Sequence, residues 1–372
     1  MPPSRLTLRV PGKLLIAGEY AVLEPHQPAV VTAVDRFMTA TVTMARENRV
    51  TLPALGLRDV GWTAGADGVT FDQDDPRLKF VGEALGAAIA HVRDQFLLPL
   101  PFHLTLESEL DGADGRKFGL GSSAAAVVAT VAATLVLLRD DDTGAPEPET
   151  IFKLAAIAHL RAQGSGSGAD VAASTFGGWL RYSSFQPEWL GERLRTMPLE
   201  RLLREPWPFF SVERLSPLPR DLRLCVGWTG QPASTAALVQ QVRMLRERDP
   251  AAYGAFLAES QTAVEHLVAG LTSANRGRAL AALERNRRAL ATLGERAGVV
   301  IETPALAALH HWAEVCGGGG KPSGAGGGDC GVALIFGDDK LEGLQAAWRK
   351  AGLEPLPLGV SDAGVTVTRL EW

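Results

Sequence analysis

The residues with the clearest chemical meaning form a glycine-serine turn that runs straight into an apolar helix pattern, Lys117-Phe-Gly-Leu-Gly-Ser-Ser-Ala-Ala-Ala126. Gly119 and Gly121 have no Cβ, so the backbone can approach an anion closely. Ser122 and Ser123 add hydroxyls where the first free N–H groups of a helix point outward. The alternative is an ordinary serine N-cap after a glycine turn. The first interpretation predicts a phosphate-binding loop.

A second glycine-rich stretch, Gly317-Gly-Gly-Gly-Lys-Pro-Ser-Gly-Ala-Gly-Gly-Gly-Asp329, has the composition of a flexible linker. However, a helix pattern ends just before it and an apolar strand pattern at 331–336 follows at once, which leaves too little polar sequence for a linker. Glycines beside Lys321 and Ser323 can wrap a phosphate or pack against another glycine loop. This stretch is therefore a second candidate part of an anion site.

Two charged residues are candidates for catalysis. Asp170 ends the loop Gln163-Gly-Ser-Gly-Ser-Gly-Ala-Asp170, where a carboxylate can accept a proton; the alternative is that it only N-caps the segment after it. Lys13 stands among Leu14, Leu15 and Ile16, an unusual place for a lysine. It is a possible counter-charge for Asp170, and the alternative is a solvated lysine on an edge strand.

The patterns around these residues predict an α+β fold. In the first half they indicate strands at 6–10, 13–16, 30–34, 39–43 and 103–107, with a turn at Pro11-Gly12, and helices at 76–92, 122–138 and 149–163. In the second half they indicate strands at 223–228, 331–336 and 364–370 and helices at 235–248, 250–272, 276–297, 303–315 and 339–351. A proline-rich passage at 206–219 separates the halves, so we predict domains at 1–220 and 221–372.

Composition narrows the classes of function. The chain has 372 residues, 46% of them hydrophobic, and a formal net charge of −5 with no run rich in lysine and arginine, which argues against a nucleic-acid partner. The 3 cysteines lack disulfide or zinc spacing, and no histidine pairing has metal-ligand spacing. No export leader or membrane span is indicated. We expect a cytoplasmic protein, monomeric or homodimeric, with small-molecule ligands.

Three segments in this order resemble the GHMP superfamily of small-molecule kinases, named for galactokinase, homoserine kinase, mevalonate kinase and phosphomevalonate kinase. They are Pro11-Gly-Lys-Leu-Leu-Ile-Ala-Gly-Glu-Tyr-Ala-Val-Leu23 (the first motif), Gly119-Leu-Gly-Ser-Ser-Ala-Ala125 (the phosphate loop) and Lys321-Pro-Ser-Gly-Ala-Gly-Gly-Gly-Asp-Cys330 (the third motif). Within the superfamily, the first motif, Lys117 and the end of the third motif are most similar to the phosphomevalonate kinase subfamily.

The resemblance implies an N-terminal domain with a left-handed β-α-β crossover, a C-terminal ferredoxin-like domain, and ATP with Mg²⁺ between them. It implies that Asp170 is the catalytic carboxylate and that Lys13 orients it. Residues expected to bind ATP are Lys117, Gly119, Leu120, Gly121, Ser122, Ser123 and Ala124, with Ser123 also at Mg²⁺. Candidates for contact with the acceptor, 5-phosphomevalonate, are Tyr20, Ser165, Ser167, Arg181, Gly324, Ala325 and Gly326.

Three other functions stay open at this stage. Mevalonate kinase and diphosphomevalonate decarboxylase share the fold and consume ATP, and they differ in the acceptor and in release of CO₂. A non-catalytic ligand sensor is a third possibility, although such a protein would be expected to lose Lys13 and Asp170. A second acidic Mg²⁺ ligand, which mevalonate kinases have, has no clear counterpart in the sequence.

Overall fold

Two β-sheets divide the computed structural model, which describes residues 5–65, 68–94, 101–112, 115–138 and 146–370. The larger sheet has nine strands within these residues, in the order β13-β1-β2-β6-β3-β4-β5, with β7 on β2 and β8 on β7. Its strands are β1 (Arg5–Ala17), β2 (Pro28–Met44), β3 (Arg49–Leu52), β4 (Leu57–Ala64), β5 (Val69–Phe71), β6 (Phe102–Ser108), β7 (Trp179–Ser183), β8 (Ser211–Arg214) and β13 (Thr366–Leu370).

The smaller sheet is antiparallel and has the order β10-β11-β9-β12. Its strands are β9 (Leu222–Trp228), β10 (Gly319–Pro322), β11 (Cys330–Phe336) and β12 (Glu354–Leu356). The helices are α1 (Lys79–Asp94), α2 (Ser122–Leu138), α3 (Pro148–Gln163), α4 (Ala169–Phe176), α5 (Pro187–Thr196), α6 (Leu199–Arg204), α7 (Thr235–Arg248), α8 (Pro250–Thr272), α9 (Arg276–Ala297), α10 (Pro304–Val315) and α11 (Leu341–Lys350). The predicted α+β class is confirmed.

The strands β1 and β2 are longer than the sequence indicates, and they frame the first motif. The predicted turn at Pro11-Gly12 is wrong, because β1 continues through these residues. The pairing of β1 with β2 shifts in register between Pro11 and Gly12. The two strands predicted at 30–34 and 39–43 are likewise one strand. A bulge leaves the hydrogen bonds on either side intact, so the chain bends without leaving the sheet. Lys13 thereby stays on a strand.

The helix α2 begins at Ser122, as predicted, and lies in the core of the larger unit. It packs against α1, α3 and α4 and against β1 and β2. Its residues from Ala124 onward are apolar or threonine, and the two threonines donate to backbone carbonyls four residues earlier, which satisfies their hydroxyls inside the helix. A helix that is apolar on all sides is a core helix, so its N-terminus is held rigidly beside the sheet. No helix among the described residues is long and apolar enough to cross a membrane.

The end of the chain returns to the larger sheet. The sheets change between β8 and β9, close to residue 220, although the division into domains at 1–220 and 221–372 stays a prediction. The strand predicted at 364–370 lies in the second half of the sequence, but as β13 it pairs with β1 of the larger sheet, with Arg5 opposite Leu370. The approach to β13 is fixed by Gly359, whose N–H donates to Asp35 Oδ1 at 2.7 Å.

Candidate active site

The phosphate loop has the geometry that its glycines predict. Gly119 and Gly121 have φ values of 74° and 80°, a left-handed region that favours glycine. The Ala125 N–H donates to the Gly121 carbonyl at 3.0 Å, which starts the helical bonding of α2. The N–H groups of Ser122, Ser123 and Ala124 are therefore those that a helix leaves for a ligand. Leu120 and Ala124 are buried, so only their backbones can take part.

Lys13 lies over this loop. Its Nζ donates to the Gly119 carbonyl at 3.0 Å, and its N–H donates to the Leu120 carbonyl at 2.9 Å. A Cβ on Gly121 would come within 2.9 Å of Lys13 Cγ, so the loop needs glycine there for the lysine to cross it. The side chain therefore carries a positive charge to the place where phosphate oxygens would sit.

Two carboxylates flank the same loop, one on each side. The Ser122 hydroxyl donates to Asp111, and burial raises the pKa of Asp111 above its ordinary value. Asp329, at the end of the third motif, lies against Gly119, where a Cβ would be 3.0 Å from Asp329 Oδ2. Burial also raises the pKa of Asp329, while Lys13 and the exposed Lys117 oppose that shift. The sequence reasoning gave neither carboxylate a role.

Asp170 lies in the first turn of α4 and is not its N-cap, which is Gly168. Its Oδ1 accepts from the Val171 N–H at 2.9 Å, and its Oδ2 is 4.0 Å from His159 Nε2. The same His159 nitrogen is 3.5 Å from the Ser123 hydroxyl. The implied pairing of Lys13 with Asp170 is not found: within the described part of the chain, no ion pair joins them, because Lys13 reaches the Gly119 carbonyl instead.

Three of the predicted acceptor contacts lie in or after the loop before α4. Ser165 lines a small cavity with His159, Gly166 and Phe185. Ser167 is used locally, since its hydroxyl accepts from the Ala169 N–H at 3.3 Å and its carbonyl accepts from Tyr182 and Ser184. Arg181 lies opposite Glu213 on the next strand, with Nη1 4.0 Å from Glu213 Oε2, and its contact with the acceptor stays a prediction.

The first and third motifs meet in a buried joint, which we define as Glu19, Tyr20, Lys321, Ser323 and Ala325. Lys321 Nζ donates to Glu19 Oε1, and these side chains are 0% and 1% exposed. The Ser323 hydroxyl donates to the Leu15 carbonyl at 2.8 Å. Burial raises the pKa of Glu19 and lowers that of Lys321, and the attraction between them opposes both shifts. Of the two roles considered for the third motif, Lys321 therefore packs against the first motif and does not face a phosphate.

Tyr20 also belongs to the joint, and its contact with the acceptor stays a prediction. Its hydroxyl donates to the Ala325 carbonyl at 2.5 Å, and burial raises its pKa above the ordinary value. Gly326 packs as closely: a Cβ there would lie 2.3 Å from the Ile301 carbonyl oxygen. Around Gly324, by contrast, a Cβ would meet no atom within 4 Å. Within 324–326, open space beside the backbone is found at Gly324.

Comparison with known proteins agrees with this architecture. The pattern of the GHMP kinases N terminal domain matches residues 83–178, which include the phosphate loop and Asp170, and that of the GHMP kinases C terminal domain matches residues 271–353, which include the third motif. A curated phosphomevalonate kinase from Streptomyces sp. (strain CL190) is 39% identical and covers 95% of this chain and 97% of its own length. The chain therefore belongs to the GHMP kinase family.

Two further relatives bear on the branch of the family. The Streptococcus pneumoniae phosphomevalonate kinase, solved in complex with phosphomevalonate and AMPPNP, has a TM-score of 0.81 at 26% identity and covers 96% of this chain and 99% of its own. A curated mevalonate kinase from Thermococcus gammatolerans is 28% identical over 98% of each chain. The identity to the Streptomyces phosphomevalonate kinase, 39%, is higher than that to the mevalonate kinase, 28%.

Proposed function

We propose that this protein transfers the γ-phosphoryl group of ATP to the phosphate of 5-phosphomevalonate, which yields 5-diphosphomevalonate and ADP. The observation that carries the proposal is the phosphate loop crossed by the Lys13 ammonium group. The Streptomyces relative and the Streptococcus pneumoniae structure supply the acceptor, since both are phosphomevalonate kinases. Free cysteines at all three positions are compatible with a cytoplasmic location.

Lys13 and the helix N-terminus would stabilise the charge that spreads over the transferred phosphoryl group. An acceptor phosphate oxygen forms the new P–O bond, and the bond to the ADP leaving oxygen breaks. A phosphate monoester has its second pKa near 6, so the acceptor is mostly ionised at neutral pH. It therefore needs no strong base, and we assign Asp170 to orienting the acceptor and not to taking a proton. We also assign the exposed Lys117 to an ATP phosphate, because its charge acts on Asp329, which lies against Gly119 of the loop.

The oxygen donors at the loop fit Mg²⁺, which prefers hydroxyl, carboxylate and phosphate oxygens and keeps several waters. Ser123 Oγ and Asp170 Oδ2 lie 3.5 and 4.0 Å from the same nitrogen of His159, so both are oxygen donors in the neighbourhood of that nitrogen. These two residues would hold the ion through oxygen. When bound, Mg²⁺ supplies neutralisation of phosphate charge.

The proposal is tested by ADP release from ATP with Mg²⁺ and, in parallel, mevalonate, 5-phosphomevalonate, 5-diphosphomevalonate, homoserine or galactose. Turnover with 5-phosphomevalonate alone is expected. Preference for mevalonate would contradict the proposed acceptor and indicate a mevalonate kinase, like the Thermococcus gammatolerans relative. Release of CO₂ from 5-diphosphomevalonate would indicate a decarboxylase. The absence of turnover across the panel would favour a ligand sensor.

The role of Asp170 has its own test. The Asp170→Asn variant keeps an oxygen that can hydrogen-bond but cannot take a proton at neutral pH. We expect its remaining activity to have the same pH profile as that of the wild type. Loss of a limb of the wild-type profile in the variant would show that Asp170 is a titrating base.

A further inference from the structure

We propose that His159 is a positioning residue, which holds the Asp170 carboxylate and the Ser123 hydroxyl in the orientation that phosphoryl transfer requires. The proposal rests on the proposed function, because it assigns the orienting of these two groups to a third side chain. No sequence signal distinguished His159: it shows no metal-ligand spacing and lies in an ordinary apolar helix pattern.

The burial of His159 is the first observation. His159 is 4% exposed and belongs to α3, where Ala155, Ala156 and Ala158 are buried apolar residues. A polar ring in such surroundings costs free energy unless its nitrogens find partners. Phe80 packs against the ring, with centroids 5.3 Å apart, and offers it no hydrogen bond. The imidazole is therefore placed for a specific polar contact.

The second observation is what Nε2 faces. Ser123 belongs to α2 and Asp170 to α4. The Nε2 atom of His159 on α3 therefore faces one polar side chain on each of these two neighbouring helices. With the proton on Nε2, the ring could donate to either oxygen at hydrogen-bond distance, and in this structure the Ser123 hydroxyl is within that limit and the Asp170 oxygen is beyond it. The distances of 3.5 and 4.0 Å are longer than an ideal hydrogen bond, and contacts of this kind tighten when substrates bind.

The third observation is that Asp170 needs such a restraint. Its Oδ1 accepts from the Val171 N–H, its Oδ2 lies 4.0 Å from His159 Nε2, and among the described residues it forms no ion pair with Lys13. A carboxylate held at one oxygen only can rotate about its side-chain bonds. We assign the restraint of that rotation to His159, which faces the other oxygen.

The experiment compares His159→Leu, which removes the polar contact, with His159→Gln, whose amide nitrogen can occupy the place of Nε2. Leu is expected to lower kcat about 100-fold, the size of effect that a small misplacement of a reacting group produces, with KM for ATP and acceptor within about 3-fold of wild type. Gln is expected to restore most of kcat. Thermal unfolding of each variant reports whether it folds.

A matched control is His103→Leu, which removes a similar histidine contact, from His103 Nε2 to the Thr51 hydroxyl at 2.9 Å, elsewhere in the larger sheet. Its kcat should stay near the wild-type value. In an Asp170→Asn background, His159→Leu should lower kcat by clearly less than the roughly 100-fold expected in the wild type, because only one of the two groups that it positions, the Ser123 hydroxyl, is left unchanged.

Equal losses for Leu and Gln, a similar loss for the His103 control, an effect confined to KM, or an additive double variant would each overturn the assignment. The same assays separate this outcome from failure of the proposed function. If wild-type protein phosphorylates another acceptor, the acceptor is wrong, and the kcat ratios measured on that acceptor still decide the role of His159.

Discussion

The phosphate loop with Lys13 and the buried joint between the first and third motifs use similar residues in opposite ways. In the joint, the charges of Glu19 and Lys321 are fully buried and face each other. At the loop, Lys13 is half-buried and, among the described residues, donates its ammonium hydrogen bond to one carbonyl, which leaves N–H donors to bind another anion. Lys13 and Glu19 belong to the same motif. Two charged residues of one motif can therefore have different roles: one binds the ligand and the other stabilises the fold through a buried ion pair.

The sharpest test of this comparison is Lys13→Met. Activity should fall about 100- to 1000-fold, because the charge beside the transferred phosphoryl group is lost, while thermal unfolding changes little. The control is Lys79→Met, which removes an exposed lysine from the first turn of α1 and should leave activity unchanged. A Lys13→Met variant that retains activity but unfolds at a lower temperature would show that Lys13 stabilises the fold, as the residues of the joint do.

Lys321→Met should have the opposite effect to Lys13→Met: its main effect should be a lower free energy of unfolding. Removing one partner of a buried pair leaves Glu19 uncompensated, which costs about 3–5 kcal/mol in the free energy of unfolding. Adding Glu19→Gln should recover part of that loss. Urea unfolding measures both variants.

The control for the joint is Arg285→Met, which breaks an exposed bidentate pair with Glu259. It should cost no more than about 1 kcal/mol. If the Lys321→Met and Arg285→Met variants lose equal stability, the Glu19–Lys321 pair does not brace the joint.

Asp329 lies between the two regions, and its protonation gives a smaller, pH-dependent effect. Because burial raises its pKa above 3.8, the folded protein holds this proton more tightly than the unfolded chain. The stability it contributes is complete below 3.8 and is lost as pH rises through the folded pKa. Asp329→Asn should therefore be at least as stable as wild type at about pH 7, with the advantage shrinking as the pH falls toward 3.8.

Asp75→Asn should show the reverse sign, as measured by urea unfolding at several pH values. Hydrogen bonds from Arg77 lower the pKa of Asp75 to about 2. Its stabilisation is present above 3.8 and is lost as pH falls toward 2, so the variant should be the less stable one at about pH 7. A difference of the same sign for both variants would contradict the burial argument for Asp329.

The smallest expected effect concerns Cys330, whose thiol donates to the Phe118 carbonyl next to the phosphate loop. Burial raises its pKa to about 12, and that of Cys225 to about 11, so neither forms much thiolate at about pH 8. Iodoacetamide should label both slowly in the folded protein and rapidly in urea. Fast labelling of native Cys330, read by mass spectrometry, would show that the loop and third motif separate in solution.

Features that depend on neighbouring residues could be predicted from the sequence, and features that depend on distant parts of the chain could not. The start of α2 at Ser122 and the bounds of α8 and α9 were confirmed, because caps such as Asp249 and Asn275 act within a few residues. The stretch 319–322 was predicted to be loop but is the buried strand β10. Its strand partner β11 begins only at Cys330, and composition alone does not show that pairing.

In the candidate site, too, the local features could be predicted from the sequence and the long-range contacts could not. The phosphate loop is contained in one short segment, and its geometry followed from its glycines and serines. The partners of Tyr20 and Lys321 lie about three hundred residues away in the chain, at Ala325 and Glu19, so no local pattern showed them. His159 was missed for the same reason, since Ser123 and Asp170 meet it through the packing of three helices.

The return of β13 to β1 has a consequence for how the chain folds during synthesis. Ribosomes release the chain from its N-terminus at about 5–20 residues per second. The strand that carries Lys13 is made first, yet one of its two edges has its neighbour only when residues 366–370 emerge. For most of translation β1 is an open sheet edge, the kind of surface on which nascent chains associate. Demand for chaperone protection should therefore last until β13 is made, well after the loop that binds phosphate is complete.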